Sequence, residues 1–181
     1  MKFLIASDLH GSAYYTELLL KAFQSEKADR LVLLGDLLYH GPRNPLPKGY
    51  APKEVFEMLN PLHDRILCVR GNCDSEVDQM VLEFPIMADS MLLHHDGVTV
   101  FVTHGHLFHT KALPPLGKGD VLLHGHTHEK VLRCCGDYFY FNPGSVSLPK
   151  DDELHSYMIW QERAFTIKNL ENGETLGNLT V

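Results

Sequence analysis

The sequence of 181 residues has no long hydrophobic run, few cysteines and no excess of positive charge. No stretch approaches the roughly 20 apolar residues that a membrane helix needs, so we expect a soluble protein without a membrane partner. A polar segment begins already at Ser7, which leaves too short an apolar run before it for a secretory signal. We therefore expect the cytoplasm as the compartment.

The four cysteines, Cys68, Cys73, Cys134 and Cys135, form no C-x-x-C pair. The vicinal pair cannot easily form a disulfide within itself, so the pattern favours neither a zinc ribbon nor a disulfide framework. We expect four reduced thiols.

The net charge of −7 gives little reason to expect a basic face along which a nucleic acid could bind. Bound divalent cations would nevertheless make a local site positive, whatever the average charge is. The length is that of one domain, so we predict a single domain over residues 1–181. Whether that domain forms a homo-oligomer stays open. Twelve histidines are the unusual feature of the composition.

Three short apolar runs, KFLIAS, RLVLLG and RILCVRG, predict buried strands, because glycine or polar residues bound each of them. Two helical patterns separate these runs. Apolar residues repeat at helical spacing from Tyr14 to Phe23, and a second pattern follows Pro52. Strands that alternate with helices predict a parallel sheet with helical crossovers.

After Pro85 the pattern changes to short apolar runs that are paired across turns. The turn signals are Asp96-Gly97, Gly136-Asp137 and Asn172-Gly173. The first of these is a strong two-residue hairpin signal. The runs predict a second sheet, and the fold class that we expect is α/β, a two-sheet mixed β-sandwich flanked by helices.

Side chains that bind metals follow the ends of five predicted strands. They lie in the motifs Asp8-x-His10, Gly35-Asp36, Gly71-Asn72, His104-Gly-His106 and Gly125-His126-x-His128. Ligands collect in the crevice beyond the carboxyl ends of strands in α/β sheets, so these residues are expected to form one site. An extended backbone would point both side chains of Asp-x-His and His-x-His the same way, towards one metal cluster.

Carboxylates and imidazoles together suit borderline-hard ions such as Mn²⁺, Fe²⁺, Zn²⁺ or Ni²⁺. A magnesium or calcium cage of oxygen ligands would not need four histidines. The residue types therefore predict a pair of divalent transition metal ions.

The motifs SDLHG, GDLLYHG, GNCD, THGH and GHTH resemble the successive motifs of the calcineurin-like metallophosphoesterases. More narrowly, GPRNPLPKGYAP, RGNCDSEVDQM and FNPGSVSLPK resemble the YfcE type of bacterial phosphodiesterase. The resemblance implies the metallophosphoesterase fold and hydrolysis of a small phosphate ester. It also implies that a hydroxide spanning two metal ions, most simply Mn²⁺, attacks phosphorus.

The resemblance further implies a role for each metal ligand. Asp8, His10 and His128 would bind one ion and Asn72, His104 and His126 the other, and Asp36 would bridge them. Asn72 is also a candidate catalytic residue.

Cys73 stands where many members of the superfamily have a histidine that is the proposed general acid. A thiol with a pKa near 8.5 is a poor acid at neutral pH, so the proton donor stays unassigned. Arg43 is a candidate for holding a phosphate oxygen or another group of the substrate, and Asp74 for positioning Asn72 or its neighbour. Whether His106 and His40 line the site is left open.

Two functions from different classes remain. The first is a phosphodiesterase or phosphomonoesterase that acts on small or activated esters. The second is a catalytically weak protein-interaction scaffold of the same fold, like the scaffold subunits of retromer. The full set of seven expected ligands favours the enzyme, because a scaffold would be free to lose them.

Overall fold

A computed structural model describes residues 1–150 and 152–181, and in this part of the chain eleven strands form two mixed sheets. The first sheet has the order β11-β10-β9-β1-β2-β3. Its strands are β1 (Lys2–Ala6), β2 (Arg30–Leu33), β3 (Ile66–Cys68), β9 (Ser156–Gln161), β10 (Ala164–Asn169) and β11 (Thr175–Thr180). Strands β1, β2 and β3 are parallel, as the alternation of strands and helices predicts.

The second sheet has the order β4-β5-β6-β8-β7. Its strands are β4 (Ser90–His95), β5 (Val98–Thr103), β6 (Val121–Leu123), β7 (Lys130–Cys134) and β8 (Phe139–Pro143). Strands β5, β6 and β8 run parallel, and hairpins add β4 and β7. Both residues of the Asp96-Gly97 turn have positive φ, which is the backbone of a type I′ hairpin.

The three C-terminal strands extend the first sheet. β9 pairs antiparallel with β1, and β10 and β11 follow as a meander. The sequence pattern predicts these strands but does not assign them to a sheet. The α/β class with two mixed sheets is therefore confirmed.

Helices cover the outer face of the first sheet. α1 (Ala13–Ser25) begins at Ser12, whose hydroxyl accepts from the N–H of Tyr15, and α2 (Pro52–Leu59) begins at its proline. A 3₁₀ turn (Asn60–Leu62) follows α2. The four-residue α3 (Glu76–Gln79) has a capping box, and it is too short for a periodic pattern to predict. No helix of the described residues is long and apolar enough to cross a membrane.

The alternation of side chains along the strands divides the core into layers. In β1, Ile5 lies between the two sheets together with Val100 and Trp160, whereas Leu4 faces Leu19 of α1. This packing fixes the two sheets face to face, so the loops at their carboxyl ends lie at one edge of the molecule.

Candidate metal centre

The predicted ligands follow the carboxyl ends of β1, β2, β3, β5 and β6. Asp8 Oδ1 lies 3.4 Å from His128 Nε2 and 3.7 Å from His10 Nε2. The two imidazole nitrogens are 3.2 Å apart. These three side chains are buried and lie close enough to share one ion.

The second group lies beside the first. His104 Nε2 is 3.1 Å from Asn72 Oδ1 and 3.2 Å from His126 Nδ1. The structure thus brings the amide oxygen and both imidazoles to one place, although they come from three separate loops.

Asp36 lies between the two groups. Its Oδ2 is 3.8 Å from His10 Nε2 and 3.5 Å from His104 Nε2. Its Oδ1 accepts a hydrogen bond of 2.8 Å from the backbone N–H of Cys73. One carboxylate oxygen therefore faces imidazoles of both groups while the other is held by the protein.

Backbone carbonyls orient three of the four imidazoles. The Nδ1–H groups of His10, His104 and His128 donate to the carbonyl oxygens of Tyr39, Leu34 and Leu148, at 2.9, 2.7 and 2.6 Å. Because a carbonyl can only accept, each proton is on Nδ1, and the Nε2 lone pair faces the cluster. This is how proteins usually fix the tautomer of a metal-binding histidine.

The backbone of five predicted ligands is left-handed, which corrects the expectation of an extended backbone. The residues with φ between 47° and 64° are Asp8, His10, Asp36, His126 and His128. Non-glycine residues adopt this conformation uncommonly, and strained residues of this kind cluster at active sites. The turns themselves, and not the alternation of a strand, aim the Asp-x-His and His-x-His side chains.

Two glycines allow the ligand loops to approach each other closely. A Cβ on Gly71 would lie 2.1 Å from Asp36 Oδ1, and one on Gly125 would lie 2.8 Å from Asp8 Oδ2. Any side chain at these positions would therefore displace a predicted ligand.

Asp74 connects the loops after β2 and β3. Its Oδ2 accepts from the N–H groups of Asp36 and Gly71 at 2.8 and 2.7 Å, and its Oδ1 accepts from Leu37 at 2.8 Å. Gly71 directly precedes Asn72, and the role of Asp74 in positioning Asn72 or its neighbour stays a prediction. Burial raises the pKa of Asp74, although the three donors oppose that shift.

The charges of the cluster oppose one another. Burial raises the pKa of Asp8, but the nearby imidazoles of His128, His104 and His10 outweigh burial, so the pKa lies well below its ordinary value. Burial and the neighbouring His104 lower the pKa of His126 to about 4. Both shifts favour the deprotonated forms, which are the forms that bind metals.

The donors fit divalent ions of the borderline class. Two carboxylates, four imidazoles and one amide are the mixed nitrogen and oxygen ligands that such ions prefer. Asp8 Oδ1 is buried and has no hydrogen-bond donor among the described residues. A buried carboxylate oxygen without a donor is costly, and a bound cation would satisfy it.

A cavity of about 440 Å³ opens beside the cluster. Its lining includes Asp36, Asn72, Cys73, His126 and His128, and also the exposed Arg43. Burial and the Asp36 carboxylate raise the pKa of the Cys73 thiol.

Two residues of the cavity wall, Thr127 and Lys150, are not among the predicted site residues. Thr127 is the middle residue of the His-x-His motif, and Lys150 ends the segment FNPGSVSLPK. Proximity to a motif is the one clue that could have indicated either of them.

His106 and His40 do not line this cavity. The His106 ring lies 5.4 Å from that of His104, and burial followed by the charge of His104 lowers its pKa. His40 packs edge-on against Tyr39 and Tyr50. His106 is therefore beside the metal ligands, whereas His40 belongs to the aromatic packing of its loop.

The sequence matches the calcineurin-like phosphoesterase superfamily domain over residues 1–164. The chain belongs to this superfamily and is a hydrolase, and the family implies divalent metal ions. It is 46% identical to phosphodiesterase YfcE of Escherichia coli strain K12, over 100% of this chain and 98% of YfcE. The solved structure of YfcE, described as a phosphoesterase, superposes with a TM-score of 0.97 and covers 100% of both chains.

More distant relatives share the architecture. Phosphodiesterase MJ0936 of Methanocaldococcus jannaschii is 29% identical over 80% of this chain and 83% of its own. A structure of Vps29 with Zn²⁺ from Entamoeba histolytica has a TM-score of 0.65 at 18% identity, and it covers 99% of both chains. At that identity the likeness to Vps29 concerns the fold alone.

Proposed function

We propose that this protein hydrolyses small or activated phosphodiesters with the help of two divalent metal ions. The observation that carries the proposal is the position of Asp36 Oδ2, within 3.8 Å of His10 Nε2 and 3.5 Å of His104 Nε2. A carboxylate between two sets of ligands suits a bridge between two ions. The name phosphodiesterase of YfcE, which is 46% identical, supports the same reaction.

We assign Asp8, His10 and His128 to one ion and Asn72, His104 and His126 to the other. Together the ions would supply Lewis-acid chemistry, which neutralises phosphoryl oxygens and activates water. The carbonyl oxygens that hold the imidazoles keep the Nε2 atoms aimed, and Asp74 holds the loops of Asp36 and Asn72 together. Arg43 lines the cavity, where its guanidinium group would hold an anionic group of the substrate.

Mn²⁺ is the ion that we propose, with Fe²⁺, Zn²⁺ and Ni²⁺ as the other members of the class that these ligands suit.

The four cysteines are all free, which supports the cytoplasm as the compartment.

Cys73 does not have the properties of a general acid. Its raised pKa keeps the thiol protonated and makes transfer of that proton to a leaving oxygen unfavourable. We therefore propose that the enzyme favours esters whose leaving group needs no proton, such as nitrophenyl esters, over alkyl or nucleoside esters.

The direct test is hydrolysis of bis(p-nitrophenyl) phosphate by protein that has been stripped of metal and then reloaded with Mn²⁺. We expect turnover with Mn²⁺ and none after chelation, and elemental analysis should give close to two ions per chain. Turnover that survives exhaustive chelation in a metal-free assay would overturn the proposal. A single bound ion in fully active protein would overturn the assignment of two ligand sets.

A further inference from the structure

Two cationic side chains stand at the cavity beside the predicted ligands. Arg43 comes from the loop after β2 and Lys150 from the loop after β8. The backbone N–H of Lys150 donates to the carbonyl oxygen of His128 at 3.2 Å, which ties this lysine to the ligand loop.

Neither cation forms an ion pair within residues 1–150 and 152–181. Other lysines behave differently: Lys2 and Lys168 both contact Glu26, and Lys21 pairs with Glu17. Arg43 and Lys150 are therefore positive charges that the described part of the protein leaves without a carboxylate, at the opening of its candidate active site.

The scissile group does not require these two charges. A phosphodiester carries one negative charge, and two dications held by the carboxylates of Asp8 and Asp36 already leave a net positive charge for it. The cavity of about 440 Å³ has the size of a pocket for a small molecule, so it has room for more than the reacting phosphate.

We propose that Arg43 and Lys150 bind a second anionic group, carried by the ester arm that stays on the phosphate after cleavage. This inference rests on the proposed function and names the substrate class of the same site: diesters with an additional phosphate or carboxylate. Lys150 is then a specificity-determining residue, since it contributes charge and no chemistry.

Three synthetic diesters with the same nitrophenyl leaving group test the inference. Their second arms are butyl, carboxypropyl and aminopropyl, so they differ in charge at similar length. For the Mn²⁺-loaded wild type we expect kcat/KM to be about fivefold higher for the carboxypropyl than for the butyl ester, the most that an exposed ion pair contributes. The aminopropyl ester should be the poorest substrate.

Charge variants identify the residue responsible. Lys150→Ala should bring the ratio of kcat/KM for the carboxypropyl ester to kcat/KM for the butyl ester close to one. Lys150→Glu should make the aminopropyl ester a better substrate than the carboxypropyl ester. Lys21→Ala removes an exposed lysine of α1 and is the matched control, which should keep the wild-type ratio. Equal kcat/KM for the butyl and carboxypropyl esters in the wild type would overturn the inference and leave the phosphodiesterase standing.

Binding provides a readout that needs no turnover. Calorimetric titration should show phosphonopropionate binding to the Mn²⁺-loaded wild type more tightly than propylphosphonate, and Lys150→Ala should remove the difference. If the butyl ester were not hydrolysed at all, the proposed function would fail, and this titration would still decide the inference. Equal affinity for the two phosphonates would refute it.

Discussion

Two regions of the protein hold an acidic side chain among basic ones, and they hold it differently. In the Glu26 cluster, which consists of Lys2, Glu26, Tyr157 and Lys168, both oxygens of the carboxylate are satisfied. Lys2 donates to Oε2 at 2.6 Å, and Lys168 and Tyr157 donate to Oε1. At the candidate metal centre, by contrast, Asp8 Oδ1 is buried without a hydrogen-bond donor among the described residues.

The backbone conformation also differs between the Glu26 cluster and the candidate metal centre. Lys2, Tyr157 and Lys168 lie on strands, and Glu26 has the right-handed backbone of a helix end. Five predicted ligands are left-handed, at a cost on the order of 1–3 kcal/mol for each strained residue. The Glu26 cluster therefore stabilises the fold, whereas the strained backbone of the candidate metal centre lowers stability in exchange for the orientation of its predicted ligands.

The change that should break the metal centre most completely is Asp36→Asn. An amide is a poorer ligand than a carboxylate, and this position serves both ions in our proposal. We expect kcat/KM for bis(p-nitrophenyl) phosphate to fall more than about 100-fold, beyond the usual effect of a residue that only orients a ligand. Elemental analysis should show loss of both ions.

Two controls accompany the Asp36 variant. Asp137→Asn changes an exposed aspartate of the hairpin between β7 and β8 and should keep activity. Arg43→Ala should reduce activity far less than Asp36→Asn. Normal metal content in Asp36→Asn, or equal losses in it and Arg43→Ala, would refute the bridging role.

Asp74→Asn should have the next largest effect. Asp74 accepts three backbone N–H groups, and an amide would turn a donor towards one of them. We expect a loss of about 1–3 kcal/mol in the free energy of unfolding and of about 10- to 100-fold in activity or metal affinity. Chemical denaturation measures the free energy of unfolding, and metal titration measures the metal affinity.

Asp78→Asn is the matched control, because Asp78 accepts hydrogen bonds from Ser75 in the capping box of α3 and holds no ligand loop. It should lower stability slightly and leave metal affinity unchanged. If both variants affected metal binding equally, the positioning role of Asp74 would be wrong.

Cys73→His should change the choice of substrate rather than the metals. An imidazole that reaches the leaving oxygen would donate a proton, so we expect about a tenfold gain on an alkyl diester, below the usual range for general acids. The rate on a nitrophenyl diester should hardly change. Cys73→Ala removes the thiol without adding an acid and should show no gain.

A measurement on the wild type can contradict this account of Cys73. Equal kcat/KM for nitrophenyl and alkyl diesters would mean that another group, such as His106, already supplies the proton. Metal content must be the same in all three proteins for this comparison.

Glu26→Gln should lower stability and leave activity intact, unlike the changes at the candidate metal centre. The partial burial of Glu26 opposes ionisation, but the hydrogen bonds from Lys168 and Lys2 lower its pKa from 4.5 to about 2. Its charge therefore stabilises the folded state above about pH 4.5, and the contribution is lost as the pH falls through the window down to about 2.

At pH 7 the Glu26→Gln variant should lose about 2 kcal/mol in the free energy of unfolding, the usual worth of hydrogen bonds to a charged group. The difference from wild type should shrink as denaturation is repeated towards pH 3. A difference that does not depend on pH would show that packing, and not charge, explains the loss.

Local patterns in the sequence predict much of this structure. The Asp96-Gly97 turn, the helix from Tyr14 to Phe23 and the order of the strands follow from spacing and turn chemistry alone. These features depend on residues that are close together in the chain, so a single sequence is sufficient to predict them.

The rest depends on contacts between distant residues. An apolar run such as SYMIWQ does not reveal that its partner strand is β1. The left-handed φ of Asp8 and His126 arises where loops from different strands meet. Lys150 ends the segment FNPGSVSLPK, but nothing in that segment indicates that its side chain reaches the cavity. The seven predicted ligands stand out in the sequence because their residue types recur at strand ends, whereas only the cavity draws attention to Lys150.

The pairing of β1 with β9 has a consequence for the time course of folding. Asp8 lies in the loop after β1, yet β1 lacks one of its two neighbouring strands until β9 (Ser156–Gln161) has been synthesised. Ser145 and Ser147, which donate to the Asp8 carbonyl oxygen at 2.9 Å, also emerge late. Contacts of such long sequence separation form slowly, and an unpaired strand edge invites association with other chains. The first predicted metal-binding segment thus gains its last partners only when the loop after β8 and strand β9 have been synthesised.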